Sequence, residues 1–168
     1  MTFALAIVAS IASCPVEDAR YDLRGAPGVT ARFHVVQPTP DWPSGLALGV
    51  HVAKSNRSYW FLPWQGGTDQ KTNVTWVREV HSPHPNQTAR RDMEMFVTDA
   101  AYDLHPSVPK VHSLAPVHIL LPDLSHLAWY STTAAERDSL PRAFFDLSDC
   151  NVPDRREKAP QIEFPAIP

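Results

Sequence analysis

Seventeen prolines set against six glycines restrict this chain more than any other feature of its 168 residues. Proline fixes φ and has no N–H to donate, so it is excluded from helix interiors and from strands paired on both sides. At that density it predicts short elements joined by stiff, extended connections. The remaining composition, 43% hydrophobic and 20% charged, is that of a globular chain with enough apolar surface for a core, and the length suits one domain. A net charge of −3 with both signs interspersed offers neither a basic face for nucleic acid nor a polybasic stretch for anionic lipid.

Between the prolines, alternation marks strands. Phe33 and Val35 alternate with Arg32 and His34 within 29–37, and Leu46, Leu48, Val50 and Val52 alternate with Ala47, Gly49, His51 and Ala53. Lys54-Ser55-Asn56-Arg57 supplies turn residues, so 46–64 reads as a hairpin. Pro63 puts the returning strand at an edge, at least near its end. Strands over 73–81 and 93–98 bring the count to five, while 99–114 has no clear period. Leu120, Leu121, Leu124, Leu127 and Ala128 then fall at helical spacing and predict a short helix over 122–130. The capping box Thr133-Ala134-Ala135-Glu136 predicts a second, ended by Pro141. The expected fold is α+β, an antiparallel β-sheet of about five strands with two short C-terminal helices, and a β-sandwich is the alternative if the unassigned stretches add strands.

Residues 3–12 form an uncharged apolar run, too short to cross a hydrocarbon layer of about 30 Å and of the length of a signal-peptide core. The Ile11-Ala12-Ser13-Cys14 that follows resembles the lipobox of bacterial lipoproteins: an aliphatic residue, two small residues and a cysteine. The resemblance implies that 1–13 is a signal peptide, that Cys14 is lipidated and becomes the mature N-terminus, and that the protein is held through this lipid on the periplasmic side of a cell-envelope membrane. Residues 14–28 would then be a lead-in or tether, 29–150 a single mainly β domain, and 151–168 an extended, proline-rich tail. A plain secretory leader is the alternative, in which Cys14 is available to bridge Cys150 in an oxidising compartment.

The most distinctive segment is Ser58-Tyr59-Trp60-Phe61-Leu62-Pro63-Trp64. On a strand, Trp60, Leu62 and Trp64 share one face and Tyr59 and Phe61 the other. Trp60, Trp64 and Trp76 are therefore the candidates for binding a ligand or partner, because a solvent-facing aromatic row can stack on sugar rings or seat a protein. The competing reading buries both rows between two layers. His34 and His51, each opposite a strand's apolar face, are the candidate metal ligands if they meet across neighbouring strands. No other metal site and no cofactor is assigned. The chain has no GxSxG elbow and no dinucleotide fingerprint. The expected function is that of a non-enzymatic, exported envelope lipoprotein that binds a protein or glycan partner. A small secreted hydrolase or metal-binding protein using histidine and carboxylate side chains is the alternative.

Overall fold

The computed structural model describes residues 14–66, 71–77, 91–130, 137–150, 162 and 164. Its strands in chain order are β1 (Arg20–Leu23), β2 (Val29–Val35), β3 (Leu46–Val52), β4 (Arg57–Gly66), β5 (Lys71–Val77), β6 (Arg91–Glu94), β7 (Phe96–Thr98), β8 (His118–Leu120) and β9 (Phe145–Asp149). A helix, α1 (Leu124–Tyr130), lies between β8 and β9. In space the order is β6-β5-β4-β3-β2-β1-β9-β8-β7, with antiparallel pairing throughout. Only Met95 separates β6 from β7, so the two ends of this order meet in one stretch of chain. The sheet thereby curls into a nearly closed barrel. The Met95 N–H donates to the Thr72 carbonyl at 3.0 Å and holds the junction against β5.

Alternation along each strand sorts its side chains to the two sides of this wall. Tyr21, Phe33, Leu48, Val50, Tyr59, Phe61, Val74, Met95, Ile119 and Phe145 belong to one buried inner cluster. Leu124, Leu127 and Ala128 of α1 join it, so the helix contributes its apolar stripe to the same core. A second, smaller cluster lies on the outer face of β3, β4 and β5, where Ala47, Trp60, Leu62 and Val77 are covered by Trp42 and Ile162.

Beside the β3–β4 turn, a polar group completes the inner packing. Arg57 and Asp138, 5% and 6% exposed, approach to 3.2 Å. The Tyr59 hydroxyl donates to the same Asp138 oxygen at 2.8 Å, and Ser55 Oγ donates to it at 3.0 Å. Burial, together with the neighbouring Asp138 carboxylate, pushes the Tyr59 phenol well above its ordinary range. These contacts fasten the chain following α1 to the end of the β3–β4 hairpin.

The α+β expectation is corrected by this architecture. The sheet has nine strands rather than about five, and α1 is the one α-helix among the described residues, so the β-sandwich alternative matches better. Three of the added strands, β1, β8 and β9, have four, three and five residues, too few to build a clear alternation. The second predicted helix begins in 131–136, outside the described residues, and 137–140 are not helical. No layer of helices is needed, because a curled sheet covers its own inner face.

The segment 14–28, expected as a lead-in, supplies β1 and the buried side chains of Val16, Ala19, Tyr21 and Leu23. Pro63 lies where it can do no harm to the ladder. β3 pairs with β4 only over Arg57 to Phe61, so from Leu62 onward β4 is paired to β5 alone, and the end of the strand is an edge on that side.

Candidate functional site

The outer faces of β1, β2, β3 and β4 form an open groove of about 350 Å³. Its side chains follow from register. Thr30, Arg32 and His34 are the outward residues of β2, facing His51, Gly49 and Ala47 of β3. Arg20 of β1 stands opposite Arg32, and Ser58 and Trp60 of β4 stand opposite His51 and Gly49. Gly49 has no side chain to fill the middle of the groove; a Cβ there would lie 2.6 Å from Cζ3 of Trp60, whose ring occupies that space. Trp60 also meets His34 edge to face, with centroids 5.0 Å apart. His51 Nδ1 lies 3.3 Å from Ser58 Oγ, and Arg20 binds Asp22 through Nε at 3.2 Å.

The candidate residues are divided by this arrangement. Trp60 forms part of the groove wall yet is only 8% exposed, and the half-buried Trp64 lies further along the same face, its indole N–H donating to Thr75 Oγ1 at 3.0 Å. Trp76 points the other way, into the inner cluster, and does not join them. Among the described residues the aromatics most open to solvent are instead Tyr130, Tyr102 and Trp129. His34 and His51 do share the outer face, but His34 pairs with Ala47, four positions from His51 along β3. At 3.4 Å per residue their positions are about 14 Å apart, too far for one metal ion. Among the described residues no three His, Cys, Asp or Glu side chains gather as a metal-binding group.

Cys14 is bonded to Cys150, 136 positions away in sequence, with Cα atoms 5.6 Å apart. A sulfur in a disulfide cannot at the same time carry a thioether-linked lipid.

A second polar constellation escaped the reading of the sequence. Asp146 on β9 receives Arg24 in bidentate fashion, at 2.9 and 2.8 Å, and His118 Nδ1 of β8 lies 2.7 Å from its Oδ1. Tyr102 stacks flat on His118 with centroids 4.3 Å apart, and its hydroxyl accepts a hydrogen bond from Arg24 at 2.7 Å. Burial acts to raise the Asp146 pKa, but the hydrogen bonds and charges of Arg24 and His118 outweigh it and hold the carboxyl below its ordinary value. The hydrogen bonds to Asp146 and Tyr102 raise Arg24. Phe145 and Leu147 alternating with Asp146 and Ser148 is the sequence signal that could have placed Asp146 on an outward face. Its meeting with His118 and Arg24 depends on strand pairing across the barrel, which has no local signal.

His118, Asp146, Asp22, Thr30, His51 and Ser58 form one continuous row across six adjacent strands. It contains two incomplete parts of a hydrolytic triad: a histidine with its orienting carboxylate on β8 and β9, and a serine next to a histidine on β4 and β3. Three strand spacings of about 4.8 Å separate Asp146 from His51, some 14 Å in all, so the two parts cannot act as one.

Fold and site together define a small, nearly closed antiparallel barrel with an apolar interior and a polar groove on its outer wall. Comparison with protein-family models, curated proteins and solved structures gives no match to this chain.

Proposed function

We propose that this chain is an exported, non-enzymatic binding module whose ligand surface is the groove on β1 to β4. One observation carries the reading: the groove is built from paired strands whose side chains are already held in place, while the nucleophile and the carboxylate that hydrolysis would need lie apart in the same row. Preorganised donors on rigid elements suit binding.

Export is supported by the Cys14–Cys150 bridge, because a structural disulfide persists in oxidising compartments and is rare where glutathione and thioredoxin keep thiols reduced. Of the two exported forms, the bridge favours the secreted or periplasmic protein without a lipid on Cys14. Intact mass of the mature protein distinguishes them. A form beginning at or before Cys14 that gains about two mass units on reduction is expected; a heavier form carrying acyl chains on Cys14 restores the lipid-anchored alternative and leaves Cys150 unpaired.

The hydrolase alternative is favoured by one specific feature, the Asp146–His118 pair, which leaves Nε2 of His118 available to accept a proton. A panel of ester, amide and glycoside substrates tests it. Turnover abolished by His118→Ala would replace the binding reading with an enzymatic one, and no turnover above background is the expected result.

A further inference from the structure

We infer that the solvent-facing side of α1, with the chain from Ser139 to Arg142 beside it, is a glycan site in which a sugar ring stacks on the exposed aromatic pair Trp129 and Tyr130. It is a second surface, separate from the groove on β1 to β4, and goes beyond the role given to that groove.

Helical spacing builds it. Leu124, Leu127 and Ala128 turn into the barrel core, which leaves Ser125 with Trp129, and His126 with Tyr130, as two i,i+4 pairs side by side on the rest of the helix. Ser139, Leu140 and Arg142 complete the wall of a shallow, open cavity of about 360 Å³. Arg142 Nε donates to Ser125 Oγ at 3.4 Å and ties the two walls together.

The aromatic lining of this cavity runs against the rest of the molecule. Of the five tryptophans, Trp42, Trp60 and Trp76 are buried and Trp64 is half-buried, whereas Trp129 is 39% exposed. Of the four tyrosines, Tyr21 and Tyr59 are fully buried and Tyr130, at 65%, is the most exposed. Two large rings left open to water beside one another forgo the burial that the fold gives to the others. They are nevertheless held. Arg137 lies over the Trp129 ring at 5.2 Å, and Tyr130 leans on His126 with ring centroids 4.5 Å apart. Rings already braced in this way lose little freedom when a ligand arrives.

A pyranose ring has a face of C–H groups and a rim of hydroxyls, so it needs a flat apolar surface bordered by hydrogen-bonding groups. Trp129 and Tyr130 supply the first. The hydroxyls of Ser125 and Ser139, which donate or accept, and the donating guanidinium of Arg142 supply the second. Rings set among serine, histidine and arginine side chains match this two-natured ligand better than they match an apolar protein surface. The volume is at the small end of ligand sites and the cavity is open, so it suits one ring of a longer chain.

The test is a titration of the intact, oxidised protein with maltotriose, cellotriose, triacetylchitotriose and mannotriose, followed by the indole N–H resonances of the five tryptophans. The expected result is a saturable shift of Trp129, and of no other indole, with at least one trisaccharide. Tyr130→Ala should weaken binding about tenfold or more, as truncation of an aromatic anchor does, whereas Tyr130→Phe should keep it. Trp129→Ala, followed through the backbone amides of α1, should match Tyr130→Ala. Both side chains are exposed, so these substitutions leave the core intact. Leu104→Ala, at an exposed apolar residue outside the cavity, should change nothing. No saturable shift with any of the four sugars, or shifts that survive both alanine substitutions, overturn the inference. Shifts at Trp60 in place of Trp129 also overturn it, because the sugar would then sit in the groove and strengthen the role proposed there. Shifts at Trp129 that follow protein concentration and not sugar would assign the rings to a contact with a second copy, and overturn it as well. Turnover abolished by His118→Ala would end the binding-module reading of the groove and leave this inference standing.

Discussion

The outer wall of the barrel differs from one side to the other. On β3 and β4 most residues are buried, and from Ala47 to Gly49 and from Tyr59 to Pro63 this holds inward and outward alike, because Trp42, Ile162 and Phe164 pack with the outer row of Ala47, Trp60 and Leu62. On β1, β2, β8 and β9 the outward residues include Arg20, Asp22, Thr30, Arg32, His34, His118 and Asp146, and none of them is fully buried. One sheet therefore behaves as the centre of a sandwich on one side and as a one-sided wall on the other. The groove lies at the border between them, with Trp60 belonging to both.

The sharpest test of that contrast uses two adjacent residues of β4. Phe61 is fully buried in the inner cluster, and Leu62, 1% exposed, is buried in the outer one. Phe61→Ala should destabilise the protein by about 3–5 kcal/mol, the range for emptying a large aromatic site in a well-packed core. Leu62→Ala should cost about 2–3 kcal/mol, because a leucine leaves less empty volume than a phenylalanine and sits in the smaller of the two clusters. Urea unfolding measures both. Equal losses would mean that the outer cluster is as well packed as the barrel interior and that the two sides of the wall are not distinct.

The border itself is tested by Gly49→Ala. The new Cβ would lie 2.6 Å from the Trp60 ring, so the indole must shift, at a cost of about 1–3 kcal/mol for overpacking. The near-ultraviolet circular dichroism of the tryptophans should change with it. A neutral effect on both would show that Trp60 is loosely held and that the groove wall is not preformed.

The contrast between the two sides also explains what could be read from the residues alone. Alternation correctly put Leu48 and Val50 inward with Gly49 and His51 outward, and it separated Tyr59 and Phe61 from Trp60 and Leu62, because side-chain direction is a local property of the strand. The cover over the outer row is supplied by residues far along the chain, Ile162 and Phe164 among them, and no local pattern announces it. For the same reason the sequence marked Trp60, His34 and His51 as noteworthy but could not show that they join Arg20 and Arg32 in one groove. It misread the distance between the two histidines because strand register, not spacing along the chain, decides it. Gly49 was the missed hint: a glycine inside a strand marks a place where another group comes close.

The smallest expected effect concerns the polar side, and it differs in kind from the others. Asp146 is held below its ordinary pKa by Arg24 and His118, and Glu17 is likewise held down, burial acting against this but outweighed by its backbone hydrogen bonds and by His112. A carboxyl whose folded pKa is depressed contributes stability above its unfolded pKa, near 4 for a carboxylate, and that contribution is lost as pH falls through the folded value. Stability should therefore decline progressively from about pH 5 downward. Asp146→Asn should flatten part of this decline, with Glu17 retaining the rest, and should cost no more than about 1 kcal/mol at neutral pH, as for other partly exposed ion pairs. Leu62→Ala has no titrating group to remove, so it should lower the whole curve without changing its slope. Urea midpoints of the three proteins between pH 7 and about pH 3 make the comparison. If Asp146→Asn keeps the full acid slope, Asp146 is not ion-paired in solution as it is here, and the polar side of the wall owes its stability to the strands and not to the charges arranged on them.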